Sequence, residues 1–281
     1  MEETTGYRTL LYEAEDGVAT VTLNRPERHN ALNATMAGEL RDVWTRIQTD
    51  PKIVCAILTG AGEKAFCTGM DVADVVDVVD VADVAADNAR SQGDEPVAWD
   101  RLTPIQNRCW KPTIAAINGM AVGGGLHFVV DCDLVLCSET ATFFDTHVKV
   151  GLLAGLEPVG LARKIPLEAV LRLALLGGSE RMDAAEAHRL GMVGEVLAPD
   201  RLMPRARALA HLIAQHSPTA LALTKKNIWE SLDTGLETAL EKTWQAIHQH
   251  TEHPDLKEGA TAFVEKRTPR WAPYTGSEAE E

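Results

Sequence analysis

Two short stretches of the chain have the form of sites for a developing negative charge. In AFCTGMDV, residues 65–72, Gly69 permits a tight turn that leaves the backbone N–H of Met70 available. In GGGLHF, residues 123–128, glycines let a ligand approach the main chain, and the N–H of Gly124 falls at the start of a helix. Two such N–H groups aimed at one oxygen make an oxyanion hole, which lowers the cost of an enolate or a tetrahedral intermediate. A glycine triplet more often serves plain close packing, so neither stretch decides the matter alone. His127 follows the glycines directly, in the first turn of that helix. There the positive end of the helix dipole disfavours imidazolium, so a neutral ring is expected, able to accept a proton or donate a hydrogen bond.

These groups need a scaffold, and the apolar patterning supplies one. GVATVTL (17–23) reads as a strand ended by Asn24-Arg25-Pro26. Asn33 is a helix cap for Met36, Leu40, Val43, Trp44 and Ile47, which fall at helical spacing. Further strands are expected at 53–58, 113–117 and 133–137, with a helix opening near Gly124 after the glycine turn. Strands and helices in that order argue for an α/β core with crossover connections. From Asp183 onward the pattern is mostly helical, with helices expected at 200–215, 218–232, 236–250 and 255–265. We therefore divide the chain into a core, 1–200, and a C-terminal helical part, 201–281, an extension or oligomerisation element.

The segment DVADVVDVVDVADVAADN (71–88) repeats aspartate every third residue. At 100° per residue those carboxylates drift around a helix rather than stacking, and Val and Asp are mediocre helix formers. It reads as a marginal helix or mobile flap at a pocket rim; a magnesium-binding array is the sharper alternative.

Composition narrows the function classes. With 281 residues, 45% of them hydrophobic, the chain can bury a large core, and a net charge of −14 disfavours nucleic acid and anionic membrane. Cys55, Cys67, Cys109, Cys132 and Cys137 are odd in number, lack CxxC spacing and sit mostly in apolar strings, as free thiols of a reducing, cytoplasmic setting do. The N-terminal MEETTGYRTLLYEAEDG shows no charged-then-apolar leader, and the most apolar stretch, 113–130, is broken by Asn118, glycines and His127, so no membrane span is expected.

Taken together, NRPERHNALN, LTGAGEKAFCTGMDV, KPTIAAINGMAVGGGLHFVVDCDLVLCSETATF and FVEKRTPRW resemble the crotonase (enoyl-CoA hydratase/isomerase) superfamily, over residues 7–271. The resemblance implies an α/β fold, a crotonase-like spiral of ββα repeats with a C-terminal helical oligomerisation region, assembled as a homotrimer or dimer of trimers. It implies an acyl-CoA thioester as substrate, with coenzyme A as part of the substrate and no separate cofactor or metal. The thioester oxygen would lie between the N–H groups of Met70 and Gly124. Arg25, Ala31, Leu32, Lys64, Ala65, Phe66 and Asp71 would line the coenzyme A site, with Lys266 contributed by a neighbouring subunit.

The chain departs from that family where chemistry is done. Hydratases of the family use two glutamates as acid and base, and the matching positions here hold His127 and His147. Histidine is the commonest general acid or base, so proton transfer survives the exchange. His147 needs an orienting acid, and Asp145 and Glu157 are the candidates. A metal site built from His127, Asp145 and His147 is a further alternative, and His211, His216, His248, His250 and His253 read as surface residues. Three functions follow: a hydratase or isomerase with His127 and His147 moving protons, a hydrolase of a thioester or β-dicarbonyl C–C bond, and a non-catalytic acyl-CoA binder.

Overall fold

The computed structural model describes residues 6–71, 99 and 101–276. The aspartate-repeat segment beyond Asp71 lies outside the described residues. The chain opens with a hairpin of β1 (Leu10–Glu15) and β2 (Val18–Leu23), turning at Asp16 and Gly17, both at positive φ. Helix α1 (Ala34–Thr49) follows, with the Asn33 side chain accepting the Met36 N–H as its cap and Met36, Leu40, Val43, Trp44 and Ile47 all buried.

Three successive strand pairs then define the fold. They are β3 (Cys55–Gly60) with β4 (Ala65–Cys67), β5 (Thr113–Ile117) with β6 (Met120–Val122), and β7 (Leu134–Ser138) with β8 (Thr142–Phe144). With the later strands β9 (Met182–Asp183) and β10 (Glu195–Leu197), the first of each pair enters a six-stranded sheet of order β1-β2-β3-β5-β7-β10, and the second enters a four-stranded sheet of order β4-β6-β8-β9. Within each sheet these successive strands are parallel neighbours, so every repeat advances the chain one place in both. That is the expected spiral. The expected strand at 53–58 is displaced to Cys55–Gly60, because the Val54 and Cys55 N–H groups are taken by Gly17 O.

Strand alternation divides the core between two faces. Ala56, Leu58, Ala115 and Ile117 pack with α1, whereas Cys55, Ile57, Ile114 and Ala116 pack with Leu202, Ala206 and Ala210 of a later helix. The glycine turn Gly123–Gly125 is a 3-10 turn, and α2 (Leu126–Asp131) starts only after it. Elements not assigned from sequence are β1, β4, β6, β8, α3 (Leu156–Leu161), α4 (Leu167–Leu175), β9, α5 (Ala184–Arg189) and β10.

The C-terminal helices are α6 (Pro199–Ala214), α7 (Pro218–Ser231), α8 (Leu236–His250) and α9 (Pro254–Glu265). The residues of α6 just named are the lid of the second core face. On α8, Leu236, Leu240, Trp244 and Ile247 form an exposed apolar stripe, joined by Phe263 and Val264 on α9. His211, His216 and His248 are exposed, but His250 and His253 correct the expectation of surface residues. Their rings stack at 5.0 Å, and His253 Nδ1 accepts the Asp255 N–H to cap α9. No helix among the described residues is long and apolar enough to cross a membrane. All five cysteines are buried free thiols, and burial pushes Cys55, Cys67, Cys132 and Cys137 up to about 12.

Candidate functional site

The loop after β2 sets the first wall of the site. His29 and Asn30 both take positive φ, a region asparagine tolerates better than most residues. The buried Asn30 amide donates to Ala61 O and Ala65 O, each at 2.9 Å, and its Oδ1 accepts the Arg25 N–H. This ties the loop to the β3–β4 turn. Asn30 was not singled out from sequence; an asparagine followed by a capped helix within NALN is the signal that marks it.

Leu32 then pairs with Met70 in an isolated parallel bridge. The Leu32 N–H donates to Gly69 O at 2.7 Å, and the Asp71 N–H donates to Leu32 O at 2.8 Å. In a parallel bridge the residue between those two contacts turns its own N–H to the opposite side. The Met70 N–H therefore points away from Leu32, on the side where Gly124 lies. A Cβ built on Gly69 would stand 2.7 Å from Gly124 N, and one on Gly124 would stand 3.7 Å from Met70 N. Only glycine at position 69, with φ at +77°, permits this approach. The two N–H groups expected from sequence are thus brought together at one point.

His147 lies against the same turn. A Cβ on Gly123 would meet its ring, 3.3 Å from Cε1 and 3.8 Å from Nε2. His147 opens a 3-10 turn, His147–Val150, rather than continuing a strand, yet Asp145 is its partner as anticipated. Asp145 Oδ1 accepts both the His147 N–H at 2.8 Å and Nδ1–H at 2.9 Å. That hydrogen bond raises the imidazole pKa above its ordinary value, against the opposing effect of burial, with added support from the charges of Asp145 and Glu157. Asp145 is 1% exposed, and its Oδ2 has no hydrogen-bond partner among the described residues.

Glu157 corrects one sequence alternative, since it orients the other histidine. Its Oε1 lies 3.0 Å from His127 Nε2, with both side chains almost fully buried. The contact depends on close packing of α3 against α2. A Cβ on Gly160 would fall 2.3 Å from Val130 Cγ1, so a larger residue would push α3 away. Burial works against the Glu157 charge, but the hydrogen bond from His127 prevails and holds its carboxyl below the usual range. The site therefore holds a fixed negative charge on α3, beside His127. The alternative metal set does not form: among the described residues no group of three or more His, Cys, Asp or Glu side chains converges on a metal position.

Of the residues expected around coenzyme A, Arg25, Ala31 and Asp71 are joined by hydrogen bonds. Arg25 donates to Ala31 O at 2.6 Å and to Asp71 Oδ2 at 3.1 Å, and Arg28 grips both oxygens of Asp71. Asp71 thus draws these guanidiniums inward. Ala31, Leu32, Ala65 and Phe66 are buried, whereas Lys64 is exposed. Lys266 is the exposed, left-handed cap of α9. A separate pocket of about 730 Å³ opens between α2, α3 and α7, lined by Val130, Leu134, Lys164, Thr224, Lys225 and Trp229 among others; neither His127 nor His147 lines it.

This arrangement of paired N–H donors and flanking acid–base groups coincides with extensive similarity to known proteins. The family model for enoyl-CoA hydratase/isomerase matches residues 13–273. The chain belongs to the enoyl-CoA hydratase/isomerase family. It is 40% identical over 261 residues to (E)-benzylidenesuccinyl-CoA hydratase of Thauera aromatica, covering 92% of this chain and 96% of that protein. It is 32% identical to the short-chain-enoyl-CoA hydratase of Clostridium acetobutylicum, over 92% of this chain and 95% of the relative. Its fold matches the crystal structure of an enoyl-CoA hydratase/isomerase from Mycobacterium paratuberculosis with a TM-score of 0.83 at 35% identity, covering 95% and 99% of the two chains. As a member of this family the protein is an acyl-CoA-processing enzyme.

Proposed function

We propose that the reaction is addition of water across the double bond of an enoyl-CoA thioester. The observation that carries this reading is the approach of Met70 N and Gly124 at the glycine turn, with His147 against Gly123 and Glu157 interacting with both His147 and His127. Thioester oxygen bound by the two N–H groups stabilises the enolate formed as hydroxide adds to the β-carbon, an interaction whose loss costs about a hundred- to a thousandfold in rate. The histidines then carry the protons that glutamates carry elsewhere in the family. Exposed Lys64 and Lys266, with the backbone of Ala31, Ala65 and Phe66, suit the nucleotide end of coenzyme A.

The relative from Thauera, by its name, acts on a benzylidenesuccinyl thioester, and this supports a panel led by arylidene-type enoyl-CoA substrates. The apolar stripe on α8 supports assembly through the C-terminal helices, as a homotrimer or dimer of trimers, and five buried thiols suit the cytoplasm. Mass spectrometry after incubation with enoyl-CoA thioesters tests the reaction. A gain of one water with the thioester intact, abolished in His127→Ala and His147→Ala, is expected. Release of free coenzyme A instead would assign thioester hydrolysis, and binding without turnover would leave only a carrier role.

A further inference from the structure

Resting on the hydration reading, we propose that Glu157 is the positioning residue for the base: by accepting the Nε2–H of His127 it leaves Nδ1 to take the proton of the attacking water, and it then holds the imidazolium that forms. The two histidines are oriented in opposite senses. His147 is bound through Nδ1 and His127 through Nε2, so the nitrogens left for chemistry are Nε2 of the first and Nδ1 of the second. In the proposed step His147, as the imidazolium held by Asp145, gives a proton from Nε2, and His127 takes one at Nδ1 while Glu157 holds its Nε2–H, so the two rings are not interchangeable.

The acid that serves His127 is identified by elimination. Asp131, four residues further along α2, also interacts with the imidazole, but Thr103 Oγ1 donates to its carboxylate at 2.6 Å and burial raises its pKa, so it is the weaker counter-charge. Glu157 is buried, in direct contact and held ionised. The titratable groups facing His127 are thus Glu157 and Asp131, with His147 acting on Glu157 from the other side.

The step balances without any cofactor. A water O–H bond breaks, its proton moves to His127 Nδ1, and the oxygen bonds the β-carbon. The π electrons pass through the α-carbon to the thioester oxygen at Met70 and Gly124, and the α-carbon then takes a proton from His147 Nε2. Proton exchange through solvent returns His127 and His147 to their starting states.

The test uses the full-length protein with 15N-labelled imidazoles, alone and with Glu157→Gln and Glu157→Asp. Without substrate, the His127 proton is expected on Nε2, and Glu157→Gln should redistribute it between Nε2 and Nδ1. In turnover, Glu157→Gln should lower kcat at least about thirtyfold with KM within about threefold, the scale of a general base impaired but not removed. The acid limb of the kcat/KM profile should shift to lower pH, and Glu157→Asp should recover part of the rate. In a His127→Ala background Glu157→Gln should add no further loss, because the two act as a unit. A His127 proton on Nδ1, or an unmoved acid limb in Glu157→Gln, would overturn the role whatever the reaction proves to be. Absence of hydration in a wild type whose imidazole signals match the expectation would count against the reaction and not against the pairing.

Discussion

Beneath α7, Lys225 and Asp133 form a buried ion pair in which the polar atoms are saturated. Lys225 Nζ donates to Cys109 O, Lys111 O and Asp133 Oδ2 at 2.9–3.0 Å. Asp133 in turn accepts from the Thr113 N–H and Oγ1–H and from Trp229 Nε1–H. At the glycine turn, by contrast, His127 Nδ1 and His147 Nε2 take part in no hydrogen bond among the described residues, and Asp145 Oδ2 is buried without a partner. Both regions bury charge at similar depth, so depth does not separate them. The spare valences do: the first cluster joins α7 to β5 and β7 and has nothing left over, while the second holds groups ready for a ligand. The pocket of about 730 Å³ beside the saturated cluster shows that open space and chemical capacity need not coincide.

Substitutions in the two regions should therefore fail in different ways. The largest expected effect is on stability, from Lys225→Met, which strands the Asp133 carboxylate and two carbonyls; breaking such a pair costs about 3–5 kcal/mol. Urea unfolding reads that loss, and turnover per folded molecule should stay within about twofold. A collapse of turnover at full folding would erase the distinction between the clusters. Gly69→Ala should behave in the reverse manner. Its Cβ meets Gly124 N at 2.7 Å and forces φ at +77° on a residue that resists it. The backbone strain costs about 1–2 kcal/mol, whereas closing the proposed oxyanion hole should lower kcat about a hundred- to a thousandfold. Normal turnover in Gly69→Ala would show that the Met70 and Gly124 N–H groups are not the hole.

The same contrast explains what could be seen in the sequence. The α1 stripe, the Asn33 cap and the helix at 236–250 are local, since periodicity and a capping side chain act within a few residues, and they appear where expected. Met70 and Gly124 were legible because glycines mark backbone that must come close, and His127 and His147 because of where they fall in motifs that resemble the family's. The partnership of Glu157 was not legible in that way. It spans 30 positions, from 127 to 157, and exists only because Gly160 lets α3 rest on Val130 of α2. Sequence spacing offered Glu157 to His147 instead, two candidates for one ring, because nothing local says which way a short helix will lean. Arg25 and Asp71 show the same limit: both were expected near coenzyme A, but their contact spans 46 positions and is seen only in the folded chain.

The smallest expected effect sharpens the comparison within the site itself. Asp145→Asn keeps the shape and one acceptor but removes the charge that helps hold a proton on His147. If His147 is the acid that protonates the α-carbon, it must be charged for turnover, and its raised pKa extends activity toward higher pH. The alkaline limb of kcat should then move to lower pH in Asp145→Asn, with a loss of about tenfold at the optimum. Stability follows the same sign. A folded-state pKa above the ordinary 6.5 contributes stability that is complete below that value and is lost as pH rises through the folded value. The advantage of wild type over Asp145→Asn should therefore be largest near about pH 6 and shrink toward about pH 9, as read by urea unfolding across that range. A gap that widens with pH would mean that Asp145 does not hold a proton on His147, and the acid would then have to be sought elsewhere in the site.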